Sequence, residues 1–171
     1  MTGSVRAARL CPDPPPDNNQ VTVSQIGGNG VKFICDATVN QTWFRIETDA
    51  EAAAESIDMN HAVERHFLRE KQIAAQSYCP SSVSYIERDI ALNAHIQRAM
   101  PLFLTLRDRE GVALATAMLP PGGRDDPTFR IIIVGARNND PYPAHGEAIA
   151  ALARHFCLTL DRDRCFPYKR L

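Results

Sequence analysis

The chain has 171 residues, 44% of them hydrophobic, which suits one domain with a core that needs no staples. Its 19 Lys+Arg stand against 20 Asp+Glu, a formal charge of -1. That balance excludes a general nucleic-acid binder, which shows a basic excess, and equally an acidic disordered chain. No stretch approaches the roughly 18 apolar residues of a membrane span, and the first twenty residues have no apolar core of a signal peptide.

The five cysteines are Cys11, Cys35, Cys79, Cys157 and Cys165. An odd number cannot all pair within one chain, and they are too sparse for a disulfide scaffold. The expected compartment is reducing and cytoplasmic. The alternative is a periplasmic or secreted domain, its signal removed, with one or two bridges, Cys157–Cys165 being the nearest pair.

Residues 1–20 read as a flexible, Pro-rich arm, because Cys11-Pro12-Asp13-Pro14-Pro15-Pro16-Asp17 suits neither a helix nor a central strand. A single domain is expected over 21–160, and a polar tail over 161–171. The domain opens with a hairpin. Val21, Val23 and Ile26 alternate on one strand, and Val31, Phe33 and Cys35 on the next. Gly27-Gly28-Asn29-Gly30 makes the turn. Thr42–Ile46 is a further strand. One helix is expected over 49–76, started by Asp49, with Ala52, Ser56, Met59, Val63, Phe67 and Ala74 on its inner side and Ile57 and Leu68 widening that stripe. A break at Tyr78–Ser82 precedes a helix over 83–99, with Ile86, Ile90, Ala94 and Leu92 inward.

Leu102, Leu104 and Leu106 then alternate with Phe103 and Thr105. Val112, Leu114, Thr116 and Met118 alternate with Ala113, Ala115 and Ala117, an alanine face with room for a helix or a ligand. The most apolar strand, Phe129–Val134, is expected to be central and buried on both faces. A last helix over 144–159 turns Ile149, Leu152, Phe156 and Leu160 inward. The order β-β-β-α-α-β-β-β-α predicts an α+β fold, a mainly antiparallel sheet of five or six strands with two or three helices. It is either PAS- or profilin-like, with helices over one face, or acyltransferase-like.

Two stretches carry a resemblance. Phe44-Arg45-Ile46-Glu47-Thr48-Asp49-Ala50-Glu51-Ala52 resembles the opening of a GNAT-type N-acetyltransferase, a strand with a basic residue running into an acidic, alanine-rich helix. The segment from Phe129 to Phe156 resembles that family's central strand, phosphate-binding loop and helix. The resemblance spans about residues 43–157. It implies acetyl-CoA or another acyl-CoA as cofactor, its pyrophosphate held by amides at the helix start around Ala144 and Gly146. Pro141 takes the place of the family's Gln or Arg, and Arg137 supplies the nearby charge.

Other groupings read as ordinary structure. Asp58, His61 and Glu64 fall on one side of the first helix, the arrangement of a metal ladder or proton relay, but no matching pair exists on a second helix; a solvated face is expected. His145-Gly146-Glu147 lacks the Cys-x-x-Cys that a zinc deaminase needs. Cys79, just before Pro80, would be activated if a helix started there, and otherwise reads as a half-buried thiol. Trp43, Phe44, Phe103, Phe129 and Phe156 read as core. No nucleophile elbow or phosphate-binding lysine loop occurs.

The expected function is a ligand- or partner-binding module, sensory or adaptor-like, without catalysis, cofactor or metal. Its partner is a protein or small molecule, its pocket beside the alanine-lined strand at 113–117. The alternatives are an acyl-CoA-dependent N-acyltransferase using Arg137, Ala144 and Gly146, and an exported, disulfide-containing interaction or inhibitor domain.

Overall fold

The computed structural model describes residues 32–79 and 84–165; the hairpin strand expected at 21–26 lies outside them. The strands are β1 (Lys32–Thr38), β2 (Gln41–Ile46), β3 (Leu102–Asp108), β4 (Ala113–Leu119) and β5 (Ile132–Gly135). They form one sheet in chain order, each antiparallel to the next. Between β2 and β3 run α1 (Asp49–Met59), α2 (Val63–Gln76) and α3 (Tyr85–Ala99), and α4 (Tyr142–Phe156) follows β5. The α+β fold and its late three-strand meander are as the sequence predicts.

The two-residue period of β3 builds two cores. Leu102, Leu104 and Leu106 face Ala115, Ala117, Ile133 and, from α4, Ala148, Ile149 and Leu152. Phe103 faces the other way, with Met118, towards Ala52, Val63, Phe67 and Ile96 of the first three helices. Helical elements therefore cover both faces of the sheet, not one. This also corrects the place of the apolar Phe129–Val134 run. Only its Ile132–Val134 part is strand, in β5 at one end of the described sheet, while β3 is the middle strand. Apolarity on both sides of a strand reports cover on both faces, which an end strand shares with a central one.

The indole of Trp43 is fully buried, and its Nε1–H donates to the Ala148 carbonyl at 2.9 Å, tying β2 to α4. The alanine face is no ligand pocket. Ala115 and Ala117 are fully buried in the core that Leu158, Leu160 and Cys165 complete. The start of the expected polar tail is thereby anchored: Cys165 is buried, and Arg162 Nε donates to Asp140 Oδ2 at 2.6 Å.

Helix starts follow side-chain caps. Thr48 caps α1, with Glu51 closing the reciprocal box, whereas Asp49 pairs with Lys71 Nζ at 2.6 Å. Ser84 and Glu87 do the same for α3. The inner face of α3 is Leu92, Ile96 and Ala99, leading to Met100; Ile90 and Ala94 point outward. Ile57 and Leu68 are exposed as well, so the inner stripe of α1 and α2 is narrower than expected.

Candidate functional site

The expected single helix over 49–76 is two. Asn60 adopts a left-handed conformation (φ 50, ψ 50), its N–H reaches back to Ile57 O and Ser56 O, and His61 N donates to Ser56 O. Asparagine tolerates this conformation better than most residues, and a helix terminates there. Ala62 then offers α2 no side-chain cap, and Ser56 Oγ substitutes by accepting from Glu64 N at 2.7 Å. The non-helical turn at 60–62 stands over the sheet and leaves a cavity of about 350 Å³ beneath it. This lies at the small end of the range for ligand pockets, roughly 300–1,000 Å³.

The floor is apolar: Phe103, Met118, Ile132 and Val134 from three strands, with Val63 beside them. The polar lining is His61, Arg65, His66, Thr116 and Asn138. His61 Nε2 is buried and has no hydrogen-bond partner. Burial, then the neighbouring His66, holds the His61 imidazole below its usual pKa; burial, then Arg69 and Arg65, does the same to His66. Asn138 belongs to a tight turn after β5 in which two successive residues, Arg137 (φ 56) and Asn138 (φ 59), are left-handed. Such conformations persist only where the surroundings enforce them, and they cluster at functional sites.

Behind this wall lies a buried ion pair. Glu55 is fully buried on α1; its Oε2 accepts from Arg107 Nη2 at 2.7 Å and its Oε1 from Thr116 Oγ1 at 2.9 Å. Burial pushes the Glu55 carboxyl above its ordinary pKa, opposed by Thr105, the Arg107 charge and Thr116. Arg107 Nη1 also donates to the Gly111 carbonyl at 2.8 Å, and Asp58 stands 3.8 Å from Nη2. Arg107 Nε is buried without a hydrogen-bond partner. This network is absent from the sequence reading, although its signal was present. Glu55 is three residues after Ala52 and four before Met59, on the buried stripe, and Thr105, Arg107 and Thr116 share the strand phases of Phe103 and Met118.

The break at Asn60 also dismantles the Asp58–His61–Glu64 ladder: the three sit on α1, in the turn and on α2. No cluster that could hold a metal occurs among the described residues. Cys79 is exposed and lies five residues before the Ser84 cap, so no helix start activates it. No disulfide joins Cys157, which is exposed, to Cys165, which is buried, so the bridge considered as an alternative is not formed. Cys35 is pushed up to about 11 by burial and then by Asp36. His145 Nδ1 and Gln41 Nε2 lie 3.2 Å apart.

Arg137 stands in the turn after β5, while Ala144 and Gly146 lie in the first turns of α4, Ala144 exposed. No hydrogen bond or ion pair joins Arg137 to either among the described residues. Gly146 borders a groove of about 450 Å³ formed with Ile149, Ala153, Leu158 and Leu160. β4 and β5 stay paired from Ala115–Gly135 to Met118–Ile132. Comparisons with protein-family models, curated proteins and solved structures returned no match.

Proposed function

We propose that this protein is a small-molecule-binding module whose ligand site is the cavity under the α1–α2 turn. The observation that carries the reading is a cavity of about 350 Å³ with an apolar floor and His61, Arg65 and His66 in its wall. The lining offers shape, hydrogen bonds and charge, and its one hydroxyl, on the buried Thr116, donates to Glu55.

The test is a thermal melt against a library of small organic molecules, run on the wild type and on Ala62→Trp, which fills the mouth of the cavity. A ligand at a hundred times its dissociation constant stabilises by about 2.7 kcal/mol, a shift of several degrees. Stabilisation lost in Ala62→Trp supports the reading; ligands acting equally on both proteins overturn it. Acetyl-CoA in the same screen decides the acyltransferase alternative: a shift abolished by Gly146→Trp and kept by Ala62→Trp would establish a site at α4 instead.

A further inference from the structure

We propose that the cavity selects a small amphipathic carboxylate, its hydrocarbon body against Phe103, Met118 and Ile132 and its charged head towards Arg65, His61 and His66. This deepens the ligand-binding reading and rests on it. Three features of the site carry the choice. The first is the sign of its lining: one permanent cation and two imidazoles, with no Asp or Glu among the lining residues. The second is the His61 imidazole, which lines the cavity beside His66 and whose Nε2 bonds to nothing in the protein. The third is the state of the nearest carboxylates. Glu55 is compensated by Arg107 behind Thr116, Glu70, which acts on His66, is paired with Arg69 at 2.6 Å, and Asp58 and Glu64 are exposed on their helices.

Size and charge narrow the class further. The cavity suits a molecule of modest length, and each methylene buried on the floor improves affinity by about fourfold, from roughly 0.8 kcal/mol per CH₂. A single guanidinium matches a monoanion, whereas a phosphate dianion calls for more than one fixed cation.

The experiment compares three probes of equal chain length: octanoate, octan-1-ol and octylammonium. Titration calorimetry gives their affinities, and NMR of the His61 and His66 ring protons gives the location. Octanoate is expected to bind at least tenfold more tightly than octanol and to move both imidazole signals, with octylammonium weakest. Arg65→Gln, an exposed substitution, is expected to bring octanoate down to the affinity of octanol while leaving octanol unchanged. If octanol or octylammonium binds as tightly as octanoate, the carboxylate class falls while the cavity remains a site. If no probe moves the imidazole signals in the wild type, the carboxylate proposal falls; ligands from the library that still depend on Ala62 would then keep the binding reading alone.

Discussion

Thr116 Oγ1 lies 2.9 Å from Glu55 Oε1, and the same residue lines the cavity. One hydroxyl therefore joins a core ion pair to the proposed ligand wall. Anything that moves the Glu55–Arg107 pair also moves a residue in the cavity wall.

Arg107→Met leaves the Glu55 carboxylate buried without its counter-charge. Removal of one partner of a buried pair costs about 3–5 kcal/mol, and urea midpoints at pH 7 would show that loss. Glu55→Gln, which keeps the shape and an acceptor for Thr116, is expected to cost less. The double variant should recover most of the Arg107→Met loss, and the cycle measures the coupling of the pair.

The pH dependence has two limbs of opposite sign. The folded-state pKa of Glu55 is raised by burial, so the native state holds the proton more firmly than the unfolded chain. Its contribution is complete below the ordinary value of 4.5 and is lost as pH rises through the folded value. His61 and His66 are lowered from 6.5, so their contribution is present above 6.5 and is lost as pH falls through their folded values. Urea midpoints collected from pH 4 to 8 should fall less on acidification in His61→Gln than in the wild type, and Glu55→Gln should flatten the decline above 4.5.

Trp43 is the single tryptophan of the chain and is fully buried. Its emission should be blue-shifted in the native state and move to longer wavelength on unfolding. Trp43→Phe loses the bond to Ala148 and leaves space in the core, an expected cost of about 2–4 kcal/mol in urea denaturation followed by circular dichroism.

Two adjacent glycines separate strain from crowding. Gly122 (φ 65) and Gly123 (φ 66) are both left-handed, but a Cβ on Gly122 meets nothing within 4 Å, while one on Gly123 would collide with the Phe156 ring. Gly122→Ala is expected to cost about 1 kcal/mol, the conformational penalty alone. Gly123→Ala adds displacement of Phe156 and should cost about 1–3 kcal/mol more. Melting temperatures of the two variants check the difference.

Strand alternation disclosed both faces of β3 and β4, because a two-residue period is unambiguous where one side is leucine or alanine and the other is Phe103, Thr116 or Met118. The buried stripe through Ala52, Met59, Val63, Phe67 and Ala74 was equally legible. The Asn60 break was not, because Met59 to Val63 is a helical step and the period runs through the interruption unchanged. The phase of α3 was misjudged for a related reason: Ile90 and Ala94 make as good a stripe in sequence as Leu92, Ile96 and Ala99, and only packing against Phe103 and Met118 decides between them. Glu55 and Arg107 are not legible in the sequence, because charge reads as solvent-facing until its partner is seen.

The separation of α1 from α2 is set at Asn60, which does not itself line the cavity. A residue that prefers right-handed backbone at this position would favour a continuous helix and erase the turn that roofs the site, with His61 and Arg65 untouched. Loss of the proposed site in the course of evolution therefore needs no change at any residue that lines it. In a related sequence, the fate of the site is to be looked for first at position 60.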